Sequence, residues 1–356
     1  MAIPATMKGV QLIGHGGPDK LVWNDSLPTP RPGPGEVLVR VLAAGVNNTD
    51  INTRIGWYSR AITGGTADVD PAGEVEAGGW AGALRFPLIQ GGDLCGEVVE
   101  LGQGACGPAL GARVTCPINQ PDPTEDEPTR IRVIGSELDG AFAQYCTVPA
   151  CQLHEVGSSP LSDVEIAAIP CAHGTAFNLL HRAHVHAGDA VLVTGASGGV
   201  GLAAVELAKL KGAQVTAIAG AGKRDAVLRA GADVVLDRSE MPAASRFTVA
   251  IDVVGGPNWL SVIGALKPGG RYAVAGAIAG PIVEADLRTI YLNDLTLFGC
   301  TYTPHEVFAE LIALVNAGRV RPLVSRTYPL AEIGAAQADF AAKRYPGKLV
   351  LIPPGS

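Results

Sequence analysis

One stretch constrains the fold more than any other: residues 191–211, VLVTGASGGVGLAAVELAKLK. A short apolar run, Val191 to Val193, leads into a glycine-rich turn, and Val200, Ala203, Ala204, Leu207, Ala208 and Leu210 follow at helical spacing. The order is strand, tight turn, helix. The turn aligns with the fingerprint G-x-G-x-x-G as Ala196, Gly198 and Gly201, with alanine in place of the first glycine. In that pattern the first small residue permits the tight turn, Gly198 lets backbone approach a pyrophosphate, and Gly201 lets the helix pack closely on the strand. Amides around Ser197, Gly199 and Val200 then open a helix N-terminus toward an anion. An ordinary glycine-rich strand-to-helix turn carries the same residues, so the stretch fixes local structure and leaves the ligand open.

The chain is 356 residues long and 47% hydrophobic, enough for two domains with substantial cores. Its 46 glycines and 26 prolines are spread among apolar runs, which reads as many turns in a folded chain. Net charge is −7 and no lysine- or arginine-rich block occurs, so nucleic acid and anionic membrane are poor candidate partners. The seven cysteines form no C-x-x-C pair and read as reduced thiols of a cytosolic protein. The start, MAIPATMKGVQL, lacks a basic segment followed by a long apolar one, and no apolar run reaches the length of a membrane span. Cytoplasm is the expected compartment.

Residues 7–42 read as short strands around a proline-rich bend, with Val37 to Leu42 alternating in the strand manner. A β-rich start followed by alternating β and α predicts a β-rich domain placed before a nucleotide domain. Next, AAGVNNTDINTRIGWYSR reads as a loop entering a short helix. Its Asn47, Asn48, Thr49, Asp50, Arg54 and Tyr58 are either an N-cap with a solvated face or the rim of a pocket. Residues 62–85 look like an inserted loop, with Trp80 and Phe86 available to anchor it over a pocket or on the domain surface. Asp93, among glycines, reads as a turn residue, and the acidic run 118–139 as a surface loop without metal-ligand spacing.

Leu161 to Leu180 predicts a helix, a break at Pro170 and a second helix that carries Thr175, which we count among the cofactor-binding positions. His181, His184 and His186 follow it; with no carboxylate or thiol at ligand spacing, they read as a solvated face. The second strand, AQVTAIAG, bears on the cofactor. It ends at Ala219 and Gly220 with no acid to hold ribose hydroxyls, and Lys223-Arg224 then stand within reach of a 2′-phosphate, which favours NADPH over NADH. A merely basic helix start would work against the helix dipole. Val253 to Gly255 (including Val254) and Ala275 to Ala277 (including Gly276) lie at strand C-ends, where open α/β sheets bind ligands. Leu295 to Cys300 reads as the edge strand.

Taken together, GEVLVRVLAAGVN, PLIQGGDLCGEVVELG, GARV, GASGGVG, KPGGRYAVAG and PGKLVLIP resemble the medium-chain dehydrogenase/reductase superfamily over nearly the whole chain. The resemblance implies an α/β protein: a GroES-like β-rich catalytic domain (1–165 and 304–356), a Rossmann doubly wound parallel sheet (166–303), and an active site in the cleft between them. It also implies a homodimer paired through the edge strand. Where the zinc enzymes of this superfamily carry Cys-His-Thr-Asp and Gly-His-Glu, this chain reads Asn47-Asn48-Thr49-Asp50 and Gly91-Gly92-Asp93. Only Cys171 falls where some members have a third ligand. A catalytic zinc needs three protein ligands and an open position, and the four-cysteine lobe of a structural zinc is replaced by the acidic loop, so no metal is expected. Instead, Gly45, Val46, Asn47, Asp50, Arg54, Gly56 and Tyr58 match G-V-N-x-x-D-x-x-x-R-x-G-x-Y and resemble the zinc-independent quinone oxidoreductase branch. One departure stands out. Several quinone reductases have a pocket tyrosine where this chain has Asn52, leaving Asn47 or Tyr58 to meet a substrate carbonyl.

The expectation is an NADPH-dependent, zinc-independent oxidoreductase that transfers hydride to a quinone or an α,β-unsaturated carbonyl compound. Asn47 and Tyr58 would stabilise charge on the carbonyl oxygen, Thr49 or Asp50 would lie near the nicotinamide or ribose, and the proton would come from water. Two other readings remain: an alcohol dehydrogenase or carbonyl reductase with an altered metal site, and a non-catalytic NADPH-binding protein of the same fold.

Overall fold

Glu36–Val46 is the strand from which the first half of the molecule is built in the computed structural model, which describes residues 3–69, 78–80, 82–240 and 242–355. It runs past the predicted end at Leu42 because Ala43, Ala44 and Gly45 are small enough to continue between packed layers. A side chain at Gly45 would meet Asp93 Oδ2 and the Ala167 carbonyl oxygen, each at 2.5 Å. The strand pairs antiparallel with Cys95–Leu101, Tyr145–Pro149 and Lys348–Ile352 in a seven-stranded sheet. Thr6–Leu12, Leu21–Pro28 and Leu88–Ile89 form a separate three-stranded sheet. Between them lies a core of Met7, Val10, Val37, Val39, Val98, Phe142 and Leu351, each nearly inaccessible to solvent. The acidic run is not all loop: Asn119–Pro121 and Ile131–Val133 pair as a short antiparallel ribbon.

The second half is a six-stranded parallel sheet with Ala190–Val193 near its middle. Gln214–Ile218 and then Val234–Leu236 lie to one side; Phe247–Asp252, Leu266–Val274 and Thr296–Gly299 lie to the other. Strand order therefore reverses at Ala190–Val193, the topological switch point at which doubly wound sheets bind ligands. Val191, Leu192 and Val193 are fully buried, as befits a strand covered on both faces.

By contacts the chain divides into two compact units, one of Met1–Ile62, Asp70–Cys171 and Pro304–Ser356, the other of Thr63–Val69 and Ala172–Thr303. The inserted loop expected over 62–85 is therefore not one object. Its first part belongs with the parallel-sheet unit, where the Thr66 N–H donates to the Ile278 carbonyl at 3.1 Å. Residues 70–77 and 81 lie outside the described residues. Asp163–Ile166 and Pro170–Arg182 are separate helices on either side of the predicted break. Among the described residues, no helix is long and apolar enough to cross a membrane.

Candidate active site

Asn47 ends the long strand and caps the helix Asn48–Ile55. Its backbone is extended (φ −129°, ψ 161°), and its N–H donates to Asp50 Oδ2 at 2.7 Å, the reciprocal half of a capping box. Gly56 closes the helix in the left-handed region at φ 70°. Asn47 is the N-cap, as one reading of the segment had it, but the helix face behind it is not solvated, because Asp50 through Ile55 are all buried. The face expected to be solvated is inside the β-rich unit. Arg54 shows why: its Nε donates to Gln337 Oε1 at 3.0 Å and its Nη1 to the Gly16 carbonyl at 2.6 Å, so it ties the helix down.

Asp93, expected to be a turn residue, is instead the hub of this region and has no solvent exposure. Its Oδ1 accepts the Cys171 backbone N–H at 2.6 Å, at the first turn of Pro170–Arg182, where a carboxylate is favoured by the helix dipole. Its Oδ2 accepts from Asn47 Nδ2 at 2.9 Å and from Lys348 Nζ at 2.8 Å. Lys348 has a second acceptor in Asn47 Oδ1 at 2.5 Å and a third in the Val46 carbonyl at 2.9 Å. All three ammonium protons are thus used, and the side chain is 3% exposed.

This geometry fixes the Asn47 amide. An ammonium only donates and a carboxylate only accepts, so Oδ1 must face Lys348 and Nδ2 must face Asp93. The hydrogen bonds described for Nδ2 use one of its two N–H groups. Asp50, beneath it, has its carboxyl pushed up to about 7, chiefly by burial, against the lowering effect of the Asn47 N–H; nearby Asp93 raises it further and Lys348 lowers it. Tyr58 lies just beyond the helix. Burial raises its phenol well above the ordinary range, while hydrogen bonds with Thr49 and Asn52 oppose that shift. The phenol therefore meets the residue that occupies the place of the family tyrosine. Trp80 packs against the Tyr58 ring at 5.0 Å.

In the parallel-sheet unit, the helix Gly199–Leu210 is capped by Gly198, whose backbone is extended. A side chain at Gly198 would meet only the Gly195 carbonyl, at 3.5 Å, so the backbone over the turn is open. One at Gly201 would strike Ala196 Cα at 2.6 Å, the close packing expected of that position. Positive φ falls on Gly195 (+57°), one residue before the fingerprint alignment begins at Ala196. Ala196 and Ser197 are buried in the turn. Asp252 organises the neighbouring strand end: it accepts from Thr194 Oγ1 (2.5 Å), Val254 N (2.8 Å), Gly255 N (3.2 Å) and the Tyr272 hydroxyl (2.7 Å). Gly276 lies beside it, with Val253 O at 3.2 Å from where a side chain would begin. Thr175 is half-buried in the Pro170–Arg182 helix.

The basic pair after the second strand is split. Arg224 turns its Nη1 to the Val235 carbonyl at 2.5 Å and so braces the next strand. Arg238, which the sequence reading passed over, lies 3.5 Å from where a Gly220 side chain would begin, and it and burial together hold the Lys223 amine below its usual range. The cations beside Gly220 are therefore Lys223 and Arg238. His181, His184 and His186 are exposed.

Over 99% of its length the chain is similar to the solved structure of a protein from Sinorhizobium meliloti 1021 provisionally named an alcohol dehydrogenase. The two share 40% identity, 98% of that chain is covered, and the TM-score is 0.88. Residues 33–158 match the alcohol dehydrogenase GroES-like domain and residues 199–317 the zinc-binding dehydrogenase family. The chain belongs to the medium-chain dehydrogenase/reductase superfamily. As a member of that superfamily it combines a GroES-like domain with a Rossmann-like parallel sheet and is an oxidoreductase. It is also 29% identical to an acryloyl-coenzyme A reductase of Metallosphaera sedula over 90% of this chain and 93% of that one, and 26% identical to the human quinone oxidoreductase over 97% and 98%.

The residues of this region do not fit the zinc of other dehydrogenase/reductases. The places of the cysteine and histidine ligands hold an amide and a glycine, and Asp93 is engaged by an ammonium. Among the described residues no group of three or more His, Cys, Asp or Glu side chains is placed to hold a metal ion. The dinucleotide fits better, given the open Gly198 cradle and a twelve-residue helix opening behind it. Lys348 and Asp93 are the residues that sequence reasoning missed. The available signal was a lysine at the head of the apolar strand KLVLI, but its partner is set by register, Leu349 opposite Val46, which brings Lys348 beside Asn47.

Proposed function

We propose that this dehydrogenase/reductase is an NADPH-dependent, zinc-independent reductase of quinones or other α,β-unsaturated carbonyl compounds. The observation that carries the reading is the buried Lys348 ammonium bonded to both Asn47 and Asp93, which engages the amide standing in the place of a cysteine ligand. Two relatives fit one substrate class by name, since acryloyl-coenzyme A is an unsaturated thioester and quinones are conjugated dicarbonyls. Residues 1–165 and 304–356 would hold the substrate and 166–303 the cofactor.

NADPH, when bound over the Gly198 turn, would supply the hydride that the β-carbon accepts. The displaced π-electron pair moves onto the carbonyl oxygen, and the unused N–H of Asn47 donates to that oxygen as charge develops. Tyr58 is the second donor; its raised phenol stays protonated through neutral pH. Water protonates the α-carbon of an enone, or the oxygen of a quinone. Thr49 holds the Tyr58 hydroxyl, and Asp50 holds the Asn47 backbone. Selection of NADPH rests on Lys223 and Arg238 beside Gly220; the second strand itself ends without an acid, and the Asp237 carboxylate that reaches the Ala221 backbone there is held below its usual range by hydrogen bonds from Ser239 and Ala221 and by Arg238. Seven cysteines with no disulfide among them suit a reducing compartment, and we place the enzyme in the cytoplasm.

The test is NADPH oxidation by the metal-analysed protein against a panel of quinones, enones, aldehydes and alcohols. Turnover of enones or quinones without bound zinc is expected. Stoichiometric zinc with chelator-sensitive alcohol oxidation would establish the metal enzyme instead, and nucleotide binding without turnover of any acceptor would establish a non-catalytic protein.

A further inference from the structure

We infer that Lys348 is a positioning residue for the reduction: a fixed internal cation that orients Asn47 and reinforces the donor it presents to the substrate oxygen. The inference rests on the reading of the site as a zinc-independent carbonyl-activating centre.

Three observations carry it. First, Lys348 is buried yet fully hydrogen-bonded, to Val46 O, Asn47 Oδ1 and Asp93 Oδ2. A structural lysine could neutralise Asp93 alone; this one also grips the functional amide. Second, the grip is directional. With Oδ1 held by the ammonium, the amide presents its nitrogen, the only end that can donate to a carbonyl oxygen. Drawing electron density toward Oδ1 also makes the N–H a stronger donor, as in hydrogen-bond chains that polarise one another. Third, Asp93 is the counterweight. It holds Nδ2 and Nζ on one oxygen and the Cys171 N–H on the other, which fixes the ammonium beside the amide. Gly45 makes the arrangement possible, because any side chain there would displace the Asp93 carboxylate.

In the reaction, hydride adds to the β-carbon, the carbon–carbon π pair becomes the enolate, and its oxygen is met by Asn47 Nδ2. No proton leaves Lys348; the proton that completes the product comes from water. A lysine charge one amide away thus plays the charge-stabilising part that a metal would otherwise play. Oxyanion donors of this kind contribute roughly 100-fold or more to turnover.

The test uses the whole enzyme with NADPH and 2-cyclohexenone, or whichever enone the panel selects. Three variants are compared: Lys348→Arg, Lys348→Met, and Lys348→Met with Asp93→Asn, the last leaving no uncompensated buried carboxylate. NADPH affinity by fluorescence serves as the folding control. Expected is a kcat lowered about 50-fold or more in both neutral variants, with little change in KM, and recovery to within about 10-fold of wild type with arginine. A double variant that binds NADPH normally and keeps kcat within about threefold of wild type overturns the inference, as does an arginine variant as slow as the methionine one. Should the neutral variants not fold, the wild-type crystal structure with NADP and cyclohexanone decides. A carbonyl oxygen on Asn47 Nδ2 supports the role, and one bound elsewhere refutes it. Absence of any enone or quinone turnover by the wild type would instead defeat the functional reading itself.

Discussion

At the scale of single residues, Asn47 and Asp50 carry the sharpest expectations. Replacing Asn47 with alanine removes the amide held between Lys348 and Asp93, so turnover of an enone should fall about 100-fold. NADPH affinity should be unchanged, since the glycine turn is untouched; fluorescence titration alongside steady-state rates separates the two, and unchanged turnover would end the role assigned to Asn47. Asp50 predicts a pH dependence of stability. Its carboxyl ionises near 7 in the folded chain and near 3.8 when unfolded, in an environment that also contains Asp93 and Lys348. Between those values unfolding releases a proton, so Asp50 lowers stability progressively as pH rises from about 4 to about 7 and no further above that. Asp50→Asn keeps an acceptor for the Asn47 N–H and removes the penalty. Its melting temperature relative to wild type should therefore climb through that window by several degrees; a difference that is flat with pH would show that Asp50 ionises normally. Asn47, Asp50, Thr49 and Tyr58 could be picked out from the sequence because they crowd one short segment. Asp93 and Lys348 could not, because nothing local distinguishes a glycine-flanked aspartate in a turn from one 255 positions away from the lysine that neutralises it.

At the scale of elements, the strand–turn–helix at 190–210 was legible because its signals are local: an apolar run, small residues at fixed offsets, and helical periodicity. The fingerprint alignment begins at Ala196, whereas the positive φ of the turn falls one residue earlier, on Gly195, which has the freedom it needs. Cofactor selection shows a further limit. Lys223-Arg224 was readable as a basic pair, yet side-chain direction was not, and Arg224 spends its guanidinium on the Val235 carbonyl. Arg238 arrives from beyond the following strand. The prediction belongs to this element: Arg238→Glu should weaken NADPH binding by about 10- to 100-fold, the range of one or two charge-assisted hydrogen bonds, and leave NADH binding almost unaffected. Arg224→Glu should instead lower thermal stability. If Arg238→Glu binds both nucleotides as wild type does, the 2′-phosphate is not held beside Gly220.

At the scale of the whole molecule, the parallel sheet ends in an edge that a single chain leaves exposed. Thr296–Gly299 pairs with Leu266–Val274 on one side, and no other strand among the described residues joins it. Close by in sequence, Ile282, Leu287, Tyr291 and Leu292 are each more than 60% exposed and Leu297 is 41% exposed, an apolar grouping of the kind that surfaces usually break up with charge. Pairing this edge with its own twofold copy satisfies the open backbone groups and covers those side chains in one step, because an isologous contact presents the same patch twice. The resemblance had implied the same edge from residues 295–300, but the exposure of Ile282, Leu287, Tyr291 and Leu292 before it could be recognised only from the structure, in which Val283 and Ile290 of the same segment pack inward. We therefore expect a homodimer at micromolar concentration by sedimentation equilibrium. Leu292→Glu combined with Leu297→Arg, which places charge on the patch and on the edge, should yield a monomer that still binds NADPH, since neither residue is near the glycine turn in the sheet order. A wild-type monomer would show that this edge is left unpaired, and a variant that remains dimeric would place the interface on another surface.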